Sequence, residues 1–356
     1  MVLSEKGQER LYLLGKSWIF IFLLAEAVIF SLTGIGFFSA KNFQNILVAS
    51  TTIMLLAAGE TFVIITGGID LSVGFVMGLF CVINAKIIVA LQAVGVSPLL
   101  SLIISIAGTL LLGLLPGLLN GVLVAKLKVP PFIATFGMYG IAYGLSEILC
   151  NNVPIAGLPS LVGFIGNGYI LYYLPGRGFS FFAPPEGISR AEIRALLALF
   201  PNVFLFSVVA VLVFAFILSR TQFGQHVYAI GGNIDAARRA GIPVDRDLIR
   251  VYMISSFFAA LSGVMYTLRF VTGRADAGSA RMLDSVVAVV IGGASLYGGT
   301  GSMIGSIIGT LVIGVLETGM VNLGLPTHNK YVYVGIILVL AVLIDQFFPE
   351  MVKKGE

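Results

Sequence analysis

The chain has 356 residues, of which 58% are hydrophobic and 11% charged, against about 25% charged in an ordinary soluble domain. That balance excludes a water-soluble globule and makes lipid the solvent for most of the molecule. The formal charge of +4 does not point to nucleic acid, because the basic residues are scattered between apolar runs, where they account for membrane orientation.

The apolar runs are continuous instead of alternating, which excludes a transmembrane β-barrel and leaves helices as the spanning element. The expected fold class is all-α: a polytopic transmembrane helical bundle, one domain over 1–356 with broken or re-entrant helices. After Lys6, Arg10 and Lys16, the run 17–38 is too long for a signal peptide and reads as a retained first helix. The remaining candidate crossings are 46–66, 72–91, 99–125, 131–149, 200–218, 251–271, 283–297, 303–322 and 331–348, about ten in all. That number puts both termini on one side. The larger share of Lys and Arg falls on the same side, including Lys126, Lys128, Arg220, Arg246 and Arg250, which predicts cytoplasmic termini. Cys81 and Cys150 are the only cysteines, and a disulfide framework is not expected.

The break between the second and third runs, Gly67-Gly68-Ile69-Asp70-Leu71-Ser72-Val73-Gly74, is the strongest local signal. Asp70 and Ser72 can cap the following helix, line a pathway where a carboxylate and open backbone groups meet a polyhydroxylated solute, or do both. Glycine pairs also follow Asp284, at Gly292-Gly293 and Gly298-Gly299. Tight helix packing accounts for single glycines, whereas pairs beside intramembrane acids read as broken helices near a transport path. Other charges within spans are Glu26, Glu60, Lys86, Glu147, Arg269, Glu317 and Asp345. They should face the bundle interior, pair, or reach an interface.

Two hydrophilic segments stand out. The segment 150–198 is rich in Pro, Gly and Asn, lies outside on this topology, and carries Ser189 and Glu192 at capping-box spacing for a short helix. The segment 219–250 lies inside and combines Arg238, Arg239, Arg246 and Arg250 with Asp235, Asp245 and Asp247. Within it Asp235-Ala236-Ala237 precedes Gly241, a pattern for a short helix ending at glycine, either a plain connector or a docking surface. Soluble-enzyme chemistry is missing. Gly15-Lys16-Ser17 lacks the glycine that a phosphate-binding loop needs, Arg10 standing there instead. His226 and His328 fall on opposite sides of the membrane, so no catalytic or metal-binding histidine pair is expected. If transport is driven by ATP, the engine must be another polypeptide.

Four stretches together carry a family resemblance: Thr61 to Gly74, Gly117 to Gly137, Thr221 to Gly241 and Leu283 to Gly301. The chain resembles the ribose/xylose/arabinose/galactose-type permease subunits of bacterial ATP-binding-cassette importers, from about Asn42 to Val342. The resemblance implies an inner-membrane importer in which two permease copies, identical or related, form the pathway. Two ATPase subunits using ATP and Mg dock inside, and an extracytoplasmic binding protein delivers a sugar or polyol outside. It implies no cofactor on this chain. Asp235, Ala236, Ala237 and Gly241 then look like the coupling-helix motif, with Arg238 and Arg239 beside them as further candidates for docking the ATPase. Gly67, Gly68, Asp70, Ser72, Gly74, Asp284, Gly292 and Gly293 become the pathway candidates. The segment 150–198 departs from the family in length and in its aromatics Tyr169, Tyr172, Tyr173, Phe179, Phe181 and Phe182. A proton- or sodium-coupled transporter using Glu60, Asp70, Asp284 or Glu317 is the competing expectation. An intramembrane enzyme lacks any visible nucleophile–base pair.

Overall fold

A computed structural model describes the backbone of residues 5–34 and 36–353, and side chains from 19 to 343 except 35, 190, 191, 327 and 341. Fifteen α-helices and three strands follow in chain order among the described residues: α1 Glu5–Thr33, α2 Ala40–Ile65, α3 Val73–Ala93, α4 Pro98–Leu112, α5 Leu114–Ala125, α6 Pro131–Cys150, α7 Ser160–Asn167, β1 Tyr169–Leu174, β2 Gly178–Phe181, α8 Arg190–Ala195, β3 Leu197–Pro201, α9 Asn202–Arg220, α10 Gln222–Gly232, α11 Ile234–Arg239, α12 Val244–Phe270, α13 Arg281–Ile291, α14 Met303–Asn322 and α15 Lys330–Lys353.

Among the described residues, seven helical stretches are long and apolar enough to cross a membrane: α2, α3, α4 with α5, α6, α9, α12 and α14. They match seven of the expected crossings, although α12 begins at Val244, inside the segment expected as cytoplasmic loop. The expected crossings 17–38 and 331–348 fall on α1 and α15, whose described apolar parts are Ile19–Thr33 and Lys330–Leu340. The expected crossing 283–297 is helical only in part: α13 has eleven residues and stops at Ile291, about 16 Å of helix against the roughly 30 Å of a bilayer core, and the non-helical turn after it carries the chain on to the ends of α2 and α10. Gly293, at φ +88°, turns the chain there. Between α4 and α5 the helix is interrupted at Gly113, three residues before Pro116, whose ring and missing N–H break the ladder at that point.

α2 and α12 form the centre. α12 lies along α5, α2 and α3, while α2 also meets α14, α13 and α9. Glycines let backbones touch at these crossings: a Cβ on Gly231 of α10 would lie 1.7 Å from the Ile65 carbonyl oxygen. Gly299 N–H donates to that same carbonyl at 2.8 Å, so the end of α2, the end of α10 and the α13–α14 turn meet at one point.

Outside the bundle, the expected loop 150–198 holds structure that an all-α reading did not foresee. β1, β2 and β3 form an antiparallel sheet in the order β2-β1-β3. Its aromatic and aliphatic residues have strand propensity, but the run was too short and too Gly-punctuated to stand out among apolar helices. The capping box is present: the Ser189 hydroxyl accepts from Glu192 N–H at 3.2 Å and the Glu192 carboxylate accepts from Ser189 N–H at 2.8 Å, opening α8.

Candidate functional site

The break after α2 is built by local chemistry. Gly67, at φ +79°, ends the helix, with its N–H on the Ile64 carbonyl and Gly68 N–H on the Val63 carbonyl. The chain then turns back into the protein. Asp70 Oδ1 accepts from Ser72 N–H at 3.0 Å and from the Ser72 hydroxyl at 2.5 Å, and Asp70 Oδ2 accepts from the Ser255 hydroxyl at 2.8 Å. Asn120 Nδ2 donates to Ser72 Oγ at 3.2 Å, and Glu60 Oε2 accepts from Asp70 N–H at 3.4 Å. Ser255 lies eleven residues into α12, about 17 Å from its start, so this polar nest sits near the middle of the bundle. Asp70 is 1% exposed. Asp70 closes a two-residue turn on Ser72 N–H, the residue before α3, and the Ser72 hydroxyl serves Asp70 and Asn120, so neither expected cap bonds to the amides of α3. Gly67 and Gly68 border a cavity of about 310 Å³ together with Lys128, Arg238 and Tyr252. Gly74 is a packing point, where a Cβ would lie 2.4 Å from the Gly278 carbonyl oxygen.

Asp284 is not part of that nest. It is fully buried in the first turn of α13. Its Oδ2 receives Lys330 Nζ at 2.9 Å and Arg281 Nη1 at 3.3 Å. Glu317 of α14 takes Lys330 Nζ at 3.0 Å and both Arg281 Nη atoms, at 2.7 and 3.2 Å. Two cations thus balance two carboxylates and tie α13, α14 and α15 together. Arg281, Glu317 and Lys330 line a cavity of about 630 Å³ that is also bordered by Asn45, Thr52 and Tyr266, a volume in the range of small-molecule sites. Gly292 packs against Gly305.

The segment 219–250 is two helices and the start of α12. Asn233 Oδ1 accepts from Ala236 N–H at 2.9 Å, capping α11. Gly241, at φ +81°, closes it, with Gly241 N–H on the Arg238 carbonyl and Ile242 N–H on the Ala237 carbonyl. Ala237 is buried among Ala125, Ile230, Val244 and Leu248, whereas Asp235, Ala236, Arg239 and Gly241 are exposed. Arg238 is exposed but engaged: its Nη2 lies 3.0 Å from Asp245 Oδ1, which also holds Lys128 Nζ at 3.1 Å. His226 Nδ1 lies 2.6 Å from Asp247 Oδ2, and Arg250 Nη1 donates to Asp247 Oδ1 at 3.0 Å. These contacts clamp α10 and α11 onto the N-terminal end of α12.

A helical membrane bundle with a clamped loop at one end of α12 and a cavity bordered by charged residues at the other now stands beside its relatives. Residues 42–342 match the family described as branched-chain amino acid transport system / permease component. The xylose transport system permease protein of Haemophilus influenzae is 36% identical over 365 residues, covering 92% of this chain and 96% of that protein. The ribose import permease protein of Bacillus subtilis is 35% identical, covering 92% and 91%, and that of Escherichia coli is 32% identical, covering 93% and 95%. The chain belongs to this family of sugar-type ABC importer permeases. No solved structure gives a significant match.

The permease is therefore a multi-pass inner-membrane transport subunit and not an enzyme. The sequence brought forward Asp284 and Glu317 but not Arg281 and Lys330. Arg281 precedes Asp284 by one helical turn, a spacing that signals a pair, whereas no spacing links Lys330 to α13. Asn120, Ser255 and His226 were equally silent, since each acts on a residue far away in the chain. Among the other charges in spans, Lys86 Nζ reaches the Leu149 carbonyl at 2.7 Å and Arg269 reaches Asn167. The Asp345 side chain lies outside the described residues.

Proposed function

We propose that the permease forms the translocation pathway for a monosaccharide, a ribose-like pentose or a related sugar or polyol, received outside from an extracytoplasmic binding protein. Both termini are cytoplasmic, and a second permease copy, identical or related, completes the conduit. ATPase subunits hydrolysing Mg-bound ATP dock on α10 and α11 through Asp235, Ala236, Arg239 and Gly241, while Ala237 and Arg238 hold α11 in place.

One observation carries this reading: α12 is a single helix running from the docking loop to the outer cavity. Asp245 and Asp247 grip the loop at its inner end, Ser255 touches Asp70 midway, and Tyr266 and Arg269 border the 630 Å³ cavity. At about 1.5 Å per residue the 27-residue helix is about 40 Å long. A shift of the loop imposed by the ATPase is thereby passed to the nest at Asp70 and to the cavity wall, as a change between discrete packed states. The pathway then opens beside the breaks at Gly67, Gly68, Ser72 and Gly74 and, on the outer side, at Asp284, Gly292 and Gly293. An ion-coupled mechanism is less favoured, since two of its four acids, Asp284 and Glu317, are already neutralised by Arg281 and Lys330.

The test is co-purification of the ATPase with permease variants. Reversing charge at Asp235 and Arg239 together should reduce the recovered ATPase and the sugar uptake, with the permease still monodisperse. Unchanged recovery of ATPase would place the docking site elsewhere.

A further inference from the structure

The outer sheet has two unlike faces. Registered pairs share a face, so Leu171 groups with Phe181 and Leu199, and Tyr173 groups with Phe179 and Leu197. Every position in this set is apolar or aromatic. Phe179 and Phe181 are each 66% exposed and Leu197 is 40% exposed. On the opposite face Tyr172 and Leu174 are buried against the protein. The side turned away from the bundle is thus the more apolar one, the reverse of what water around it would select.

Chain continuity says what covers it. β3 ends at Pro201 and α9 begins at Asn202 with no linker. α9 has membrane length and presents exposed Leu205, Phe206, Val209, Leu212, Val213 and Phe216. Their spacing of three and four residues makes one apolar stripe, the surface that a crossing helix turns to lipid. Phe200, two residues before α9, is exposed as well. Aromatic rings are favoured at the headgroup level. A soluble partner that must dock and leave at each cycle selects a more polar face than this.

We propose that β1, β2 and β3 form an interfacial anchor. The face made by Leu171, Tyr173, Phe179, Phe181, Leu197 and Leu199 rests in the outer headgroup and upper acyl region of the bilayer, continuing the lipid-facing stripe of α9. The anchor fixes the position of the outer segment relative to the membrane.

Trp18 is the only tryptophan, so a W18F background allows one reporter at a time. Phe181→Trp and, as a control in the same segment, Glu186→Trp are placed in vesicles of phosphatidylcholine brominated near the headgroup end of its acyl chains. The expected result is loss of most Phe181→Trp emission relative to non-brominated vesicles, with Glu186→Trp little changed. Equal quenching at the two positions overturns the proposal. So does an unquenched, blue-shifted Phe181→Trp, which would assign the face to a second copy. A third contrary outcome is Phe181→Trp emission that shifts only when the binding protein is added, which would assign it to that partner. Should W18F not fold, a spin label on Phe181→Cys gives the same reading. Collision with membrane-dissolved oxygen exceeding collision with a water-soluble nickel chelate supports the anchor, and the reverse overturns it.

Discussion

Replacing Lys330 with methionine removes one of the two cations that neutralise Asp284 and Glu317 while keeping most of the side-chain volume. The Lys330 side chain is 6% exposed, its ammonium 2.9 Å from Asp284 Oδ2 and 3.0 Å from Glu317 Oε2. Breaking a buried ion pair by removing one partner costs about 3–5 kcal/mol. Arg281 stays 2.7 Å from Glu317, so the low end of that range, about 3 kcal/mol, applies here. Most of the loss falls on Asp284, which is fully buried, is left with only the 3.3 Å contact to Arg281, and whose Oδ1 already has no hydrogen-bond partner among the described residues. The assay is reversible unfolding in mixed micelles for wild type, K330M, D284N and the double variant. The double variant should be more stable than the sum of the two losses predicts by about 2 kcal/mol. Raising the salt should change little, because the group is buried. A K330M protein within about 0.5 kcal/mol of wild type, the scale of an inconsequential surface change, or strictly additive losses, would refute the argument.

Gly241→Val forces a β-branched residue into φ +81° and should destabilise by about 1 kcal/mol or more, read as a lower unfolding midpoint together with weaker retention of the ATPase. Asp70→Ala strips the acceptor from the Ser72 and Ser255 hydroxyls. Leaving buried donors unsatisfied should cost about 2 kcal/mol or more and depress uptake, which transport in vesicles would measure. The Glu192 carboxyl is held below its ordinary 4.5 by the Ser189 backbone and hydroxyl and by Arg177. Its contribution to α8 is therefore fully present above 4.5 and lost as pH falls through the lowered value. Hydrogen exchange over 189–195 should accelerate on acidification in wild type and much less in E192Q. An identical acid response in both proteins would remove Glu192 from that role.

How far the fold was legible follows from the range of each interaction. The crossings at α2, α3, α6, α9, α12 and α14 are uninterrupted apolar runs, and hydrocarbon allows only one backbone solution for them. The Gly67-Gly68 stop and the Ser189–Glu192 box are encoded within a few residues, and they form as read. α13 was overextended because Leu283 to Tyr297 is apolar enough for a span, while the turn at Gly292-Gly293 is dictated by the end of α2 and by Gly305 packing beside it. The outer sheet was missed for a related reason: Tyr169 to Phe182 alternates between a protein-facing and an outward side, yet both sides are apolar, so no period of two is visible in the sequence. At the site, Asp70 was legible from its own neighbours. The balance of Asp284 and Glu317 by Lys330 required three helices to be brought together first.

The central claim is that the permease has no motor of its own and is switched through the loop gripped by α12. Purified permease placed in vesicles with its binding protein, with and without the ATPase and ATP, tests it most directly. The account predicts sugar accumulation only when ATPase and ATP are both present, undiminished by an uncoupler at constant ATP. Accumulation by permease and binding protein alone, or uptake abolished by the uncoupler while ATP is held constant, would contradict it.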